Sequence, residues 1–190
     1  MSYRPILIVA GEPNSIFFEI FFKSINNNSF KSPLILIASK DLLIKQMKIL
    51  GYNFKINLVN KDCSYLNKLD NKKINIINVD YNFKKVFEKI SNKSNVYIEK
   101  CFVIALKILK KNKYLKLING PISKKNFLQG KYLGITEYLA KKTKTKNVVM
   151  LIYNEKLSVS PITTHLPLKE VHKNLSRTKV ITHVKIIKNF

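Results

Sequence analysis

The chain has 190 residues, 46% of them hydrophobic, and a formal charge of +24. That length and apolar content exclude a disordered tail and allow one domain with a real core, or a domain and part of a second, while no apolar run reaches the ~18 residues that cross a bilayer. The charge invites nucleic acid, because basic faces release counterions from phosphate, yet Arg4 and Arg177 are the only arginines and specific recognition favours the planar guanidinium fork.

The lysines accompany many asparagines and isoleucines along the whole chain, a drift in overall usage rather than a patch. Adsorption to polyanions is expected from them, and specific nucleic-acid binding is not. The densest group, Lys141, Lys142, Lys144 and Lys146, reads as a solvated helix end, where lysines suit the helix dipole. Cys63 and Cys101 lie far apart without CxxC spacing and support neither a disulfide framework nor a zinc knuckle. The opening Met1-Ser-Tyr-Arg-Pro5 lacks the small-residue cleavage site of a signal peptide, so a cytoplasmic protein with no membrane partner is expected.

In chain order, Pro5 to Ala10 is a continuous apolar run, the pattern of a strand buried on both faces. Gly11-Glu-Pro-Asn-Ser15 makes a turn, and Ile16 to Phe22 reads as a helix. Pro33 to Ala38 is a second buried strand, Ser39 an N-cap, and Leu42, Leu43, Met47 and Leu50 the apolar side of a helix that stops at Gly51. Two such βα units in succession argue for a parallel, doubly wound sheet. Phe54 to Val59 and Ile74 to Val79 read as strands joined by a polar connection from Lys61 to Lys73, a region without evident chemistry.

From Ser94 the period becomes helical, with Ile98, Phe102, Ala105, Leu106 and Leu109 on one side. Tyr114 to Ile118 is the next strand, and Asn119-Gly-Pro-Ile-Ser-Lys124 its carboxyl end, where Gly120-Pro121 turns the chain and Ser123 can cap a helix. Leu133-Gly-Ile-Thr-Glu-Tyr-Leu139 follows. Val148 to Tyr153 and residues 157 to 162 read as strands around a hairpin at Asn154-Glu-Lys156, after which Thr163-Thr-His165 precedes a helix opened by Pro167. A histidine at the carboxyl end of a strand is a candidate metal ligand or acid/base group, although a lone loop histidine is the commoner explanation. Residues 167 to 175 and 176 to 190 read as two helical pieces, the second with Val180, Ile181, Val184 and Ile187 as its apolar stripe. That helix is expected to run to Phe190 without a stop signal, which suggests a truncated chain.

Three of these blocks, Gly120-Pro-Ile-Ser-Lys124, Gly134-Ile-Thr-Glu137 and Thr163-Thr-His-Leu-Pro-Leu168, together resemble the 4-hydroxythreonine-4-phosphate dehydrogenases of pyridoxal phosphate biosynthesis. Gly11-Glu-Pro13 with Ile16 and Glu19 resembles that family's amino-terminal signature, except that Ser15, Phe17 and Phe18 stand where the family has glycines and a proline. The resemblance covers nearly the whole chain weakly and residues 114 to 171 strongly. It implies an α/β fold like that of the isocitrate and isopropylmalate dehydrogenases, with a parallel or mixed sheet flanked by helices. A first domain over 1–118 and the start of a substrate- and metal-binding domain over 119–190 are expected, the carboxyl-terminal part being missing.

By the same resemblance, the activity is oxidation of 4-phosphooxy-L-threonine by NAD or NADP, followed by decarboxylation to 3-amino-2-oxopropyl phosphate. A divalent metal (Zn, Mg or Co) would be held by three histidines, of which His165 matches the first. His172 and His183 match neither of the others and read as helix-surface residues; the remaining ligands and the catalytic groups would lie beyond Phe190, leaving this chain inactive alone. Thr136 and Lys124 match substrate-contacting positions, and Ile135 stands at the family histidine, so one polar contact is lost or taken over by another group. The family works as a homodimer. Two alternatives stay open: a dehydrogenase of a related four-carbon sugar-acid phosphate, and a non-catalytic Lys-rich polyanion-binding or remnant protein.

Overall fold

A computed structural model describes residues 3–61, 69–112 and 115–189. They form two compact units, Met1–Gln129 and Gly130–Phe190. The first is built on five strands: β1 (Ile6–Val9), β2 (Leu34–Ala38), β3 (Ile56–Leu58), β4 (Ile74–Asn78) and β5 (Lys116–Asn119). They lie in the order β3-β4-β2-β1-β5, and every pair is parallel.

The period of two along these strands decides which helix each residue meets. Ile8, Ala10, Leu36, Ala38, Ile74 and Ile76 face one layer, where they pack with α1 (Phe17–Asn27) and α2 (Lys40–Ile49). Their neighbours Leu7, Val9, Ile35, Ile37 and Ile77 are equally buried and so face the other side, where α3 (Asn95–Lys111) packs on β1 and β2. Both faces being covered explains why the strands read as unbroken apolar runs.

α1 turns Phe18, Phe21, Phe22 and Ile25 inward at helical spacing. Phe22 stacks on Phe18 at 5.9 Å and on Phe54 at 6.1 Å between centroids and touches Tyr52 at 5.4 Å. Such ring pairs each add ~0.5–1.5 kcal/mol beyond the area they bury. α2 begins where expected, Ser39 Oγ accepting from the Leu42 N–H at 3.3 Å, and it ends ahead of Gly51, whose φ of +75° only glycine adopts without strain. Of the polar connection, residues 62–68 lie outside the described residues, as do Cys63 and Tyr114.

The first unit reaches to Gln129: β5 pairs with β1 through Asn119, and the turn beyond it is tied to α3. Phe127 stacks on Phe102 at 6.1 Å, and Asn95 Nδ2 donates to the Asn126 carbonyl at 2.8 Å. The helix that Ser123 caps is a single π turn, Lys124–Leu128, closed by Gln129 in the left-handed region. Ser123 Oγ accepts from the Asn126 N–H at 3.1 Å.

The second unit holds α4 (Ile135–Thr143), α5 (Leu168–Val171) and α6 (Arg177–Lys188). The lysines after α4 are exposed, as expected. Neither expected strand between α4 and α5 forms: Ile152 and Val159 exchange N–H to carbonyl bonds of 2.8 and 2.9 Å in one antiparallel bridge, and the pairing goes no further. Pro161 has no N–H to extend a ladder, and Ile152, Tyr153, Leu157 and Val159 are all exposed. The hairpin itself is present, with Ser158 Oγ donating to the Asn154 carbonyl at 3.1 Å. α6 ends at Lys188 with Asn189 as its cap, its N–H reaching the Ile186 carbonyl.

Candidate functional site

In the first unit the strand order changes direction between β1 and β5, and the crevice outside the carboxyl ends of such strands is where open α/β sheets bind ligands. The two loops that border it are Gly11–Ser15 after β1 and Gly120–Ser123 after β5. They touch through backbone: the Glu12 N–H donates to the Pro121 carbonyl at 2.8 Å, and Gly120 N–H to the Val9 carbonyl at 2.7 Å. A methyl group on Gly11 would overlap the Pro121 oxygen, and one on Gly120 would overlap the Ala10 oxygen and the Phe17 ring. The glycines serve loop-to-loop approach, and Phe17, stacked on Phe21 at 5.9 Å, occupies space where a smaller residue would leave room.

Glu12, 2% exposed, is buried beneath these loops. It accepts from Ser94 Oγ at 2.8 Å and from the Asn14 N–H at 3.3 Å. Burial holds its carboxyl above the ordinary range, and the two hydrogen bonds pull it part of the way back. Ser15 donates to the Glu12 carbonyl at 2.7 Å and accepts from the Phe17 N–H at 3.3 Å, just ahead of α1. Cys101 is fully buried, and burial pushes its thiol up to about 12, which leaves it no thiolate for chemistry at neutral pH.

The second unit contains a cavity of about 230 Å³. Thr136 and Glu137 come from the first turn of α4, Thr163, Thr164 and Leu166 from the loop before α5, and Lys179 and His183 from α6; Val148, Met150, Pro161 and Ile162 form the apolar part. Gly134 begins α4 with no side chain to cap it, so the first-turn N–H groups and the positive end of the helix dipole are presented beside Thr136. The Glu137 carboxylate folds back to within 3.1 Å of where a Gly134 β-carbon would be. Ser160 Oγ donates to the Met150 carbonyl at 2.7 Å and ties the two extended segments of the wall together.

Of the residues singled out in the sequence, the structure puts Thr136 in this wall together with Thr163 and Thr164. Ile135, half-buried at the start of α4, is outside the wall. Lys124 is exposed on the π turn of the first unit. His165 is exposed and takes φ +57°, in the left-handed region. A non-glycine residue there costs ~1–2 kcal/mol, although histidine visits it more often than most.

His172 is exposed, as expected, but His183 is half-buried and lines the cavity instead of lying on the helix surface. The sequence carries a signal for this, since Lys179, Thr182, His183 and Ile186 share one side of α6, but the aliphatic stripe beside it is the stronger pattern. Among the described residues no three His, Cys, Asp or Glu side chains gather as metal ligands. A catalytic metal needs about three, so these residues do not complete a metal centre.

The parallel sheet flanked by helices, with its glycine loops meeting at the reversal of strand order, defines the first unit as an α/β fold. Residues 29–190 match the family model described as pyridoxal phosphate biosynthetic protein PdxA, and the chain belongs to that family. It is 31% identical over 185 residues to the 4-hydroxythreonine-4-phosphate dehydrogenase of Sulfurihydrogenibium sp., matching 96% of this chain and 56% of that one. With the enzyme of the same name from Wigglesworthia glossinidia brevipalpis it shares 27% over 191 residues, 97% of this chain and 57% of the relative. The chain thus spans a little over half the length of these curated relatives. The solved structure of the Klebsiella pneumoniae 4-hydroxythreonine-4-phosphate dehydrogenase superposes with a TM-score of 0.82 at 21% identity, over 98% of this chain and 59% of that one, a likeness of fold.

Proposed function

We propose that this chain forms part of an NAD- or NADP-dependent dehydrogenase that oxidises 4-phosphooxy-L-threonine to 2-amino-3-oxo-4-phosphooxybutanoate. Family membership supports the reaction. The observation that carries the assignment of a site is that Thr136 and Glu137, from the first turn of α4, and the Thr163-Thr164 loop line one cavity. Its volume, about 230 Å³, is below the ~300–1,000 Å³ of pockets for drug-sized ligands and suits a small metabolite.

NAD or NADP, when bound, would supply the acceptor for the hydride of the carbinol carbon, and the hydroxyl proton would go to a base. The resulting β-keto acid loses its carboxylate as carbon dioxide, and a proton takes that place to give 3-amino-2-oxopropyl phosphate. In this assignment, Thr136 and the uncapped first turn of α4 hold the anionic end of the substrate, since helix N-termini favour phosphate oxygens. Thr163 and Thr164 offer hydroxyls that donate or accept and so orient the rest. Lys124 remains a proposed substrate contact, and His165 a proposed single ligand of a divalent metal (Zn, Mg or Co) whose other ligands the described residues do not provide. A fold of the isocitrate and isopropylmalate dehydrogenase kind, a homodimeric state and a cytoplasmic location belong to the same proposal, as does the reading of residues 119–190 as the start of a substrate- and metal-binding domain.

Calorimetric titration of this chain with 4-phosphooxy-L-threonine and with erythronate 4-phosphate tests the assignment. Preferred binding of the first, weakened about tenfold or more by Thr136→Val, is the expected result. Binding of the sugar-acid phosphate alone would move the substrate to that class, and binding of neither would overturn the site.

A further inference from the structure

We propose that the first unit has a binding site of its own for a small aromatic carboxylate, at the amino ends of its strands. The site is a cavity of about 300 Å³ between the end of α1 and the segments that lead into β2 and β4. Leu34 and Ile74, the first residues of those strands, line it. The loops Gly11–Ser15 and Gly120–Ser123 follow the carboxyl ends of β1 and β5 in the same parallel sheet, so this cavity is not the crevice that they border. The residues of the dehydrogenase reading, in the second unit's cavity and at Lys124 and His165, take no part in it.

The floor is apolar and fixed from behind. Phe21, Ile25, Leu34, Phe54 and Ile74 form it; Phe21 stacks on Phe17 at 5.9 Å, and Phe54 on Phe22 at 6.1 Å and on Tyr52 at 5.7 Å. A third ring, Phe30, is exposed on the lip. The walls are stitched together across the mouth by residues 41 positions apart: Asn71 Nδ2 donates to the Phe30 carbonyl at 2.9 Å, and the buried Asn75 Nδ2 to the Leu34 carbonyl at 3.1 Å. Close-packed proteins leave few spaces larger than a water molecule, and this one reaches the ~300–1,000 Å³ of ligand pockets at their lower end. Its rings offer faces and edges to one more ring.

The mouth selects the charge. Lys72 and Lys73 line it, and among the described residues no Asp or Glu does. The neighbouring acid, Asp70, is turned to Lys73 Nζ at 3.3 Å and to the Lys72 N–H at 2.9 Å, so the Lys72 ammonium is the cation that this acid does not take up. The end of α1 works against an anion, because its last carbonyls carry the negative end of the helix dipole. That effect is blunted, since Asn28 gives both its N–H, at 3.1 Å, and its Nδ2, at 3.0 Å, to the Ser24 carbonyl. A ring-lined floor beneath an exposed lysine fits a ligand whose ring goes inside and whose carboxylate stays at the mouth, where water still reaches it.

The experiment titrates the 190-residue chain into indole-3-acetate and into its uncharged counterpart indole-3-ethanol. The chain has no tryptophan, so indole emission excited to the red of tyrosine belongs to the probe, and its anisotropy follows binding. Saturable binding of the acid in preference to the alcohol is expected. Ile25→Phe, which fills the floor, and Ser29→Phe, which covers the mouth from an exposed position, each abolish it; the second leaves the core untouched. Lys72→Gln weakens the acid about threefold and leaves the alcohol unchanged, whereas Lys141→Gln with Lys142→Gln, outside the cavity, changes neither. No saturable binding, or binding that neither phenylalanine alters, would overturn the site. An equal loss with the Lys141 and Lys142 pair would show adsorption to lysines in general and overturn it too, and equal affinity for acid and alcohol would overturn the carboxylate.

Discussion

The two units use the same residue types in opposite ways. In Met1–Gln129 the branched aliphatics are paired in register along a parallel ladder, and helices that carry the buried phenylalanines close over it on both sides. In Gly130–Phe190 only Tyr138 is buried among the described residues, the single β bridge joins one pair of residues, and Leu157, Leu168 and Val184 stand in the open at 72%, 89% and 58%. The first unit therefore has the stability of a core, and the second has polar groups that remain free to meet a ligand. Sites and cores make opposite demands on a side chain, and here the demands are met in separate stretches of chain.

The sharpest way to break that contrast is to empty the first core. Phe22→Ala removes a fully buried ring in contact with Phe18, Tyr52 and Phe54 and is expected to cost ~3–5 kcal/mol in urea unfolding. Leu168→Ala in the second unit, where the side chain is 89% exposed, stays within ~0.5 kcal/mol. Equal effects would mean the two units do not differ as described.

A smaller loss is expected from Gly120→Ala, whose added methyl meets the Ala10 carbonyl and the Phe17 ring. Forcing those loops apart costs ~1–3 kcal/mol, read as a lower denaturant midpoint with unchanged slope.

Next comes Glu12, the buried carboxyl of the first unit. Its pKa is raised in the folded state, chiefly by burial, so the native protein binds more protons than the unfolded chain above the ordinary carboxyl value of ~4.3. Its contribution to stability is complete below that pH and declines as pH rises through the folded value. Relative to Glu12→Gln, the melting temperature of the wild type should therefore fall between about pH 4.5 and pH 7. A constant difference between the two across that range would show that Glu12 is not held above its ordinary value.

The smallest effect is expected at His165. Its left-handed backbone, φ +57°, suits glycine better, so His165→Gly should cost nothing or stabilise by under ~1 kcal/mol. A clear destabilisation would show that the imidazole makes contacts that its exposure in this structure does not account for.

Much of the first unit was legible from residue order. Unbroken apolar runs announced strands buried on both sides, Ser39 and Ser123 announced caps that form as expected, and Gly51 announced a helix stop. The three motif blocks were legible as well, because they sit at turns where local chemistry dictates the backbone. What could not be read was how far a strand extends: Val148–Tyr153 and 157–162 have strand-like composition, yet a ladder needs a partner in register, and beyond Ile152 and Val159 none is supplied. The place of His183 was hidden for a related reason, since α6 carries one aliphatic and one polar side and the pattern alone favours burying the first.

By itself, then, the sequence determined the βα alternation, the caps and turns, the buried faces of the first unit and the resemblance to the family, all of which follow from spacing within a few residues. Only the tertiary structure decided the strand order β3-β4-β2-β1-β5, the meeting of Gly11 with Pro121, and the gathering of Thr136, Thr164 and His183 around one cavity. Those depend on contacts between residues tens of positions apart, where the partner that satisfies a hydrogen bond or covers an apolar face is chosen by packing and not by neighbours in the chain.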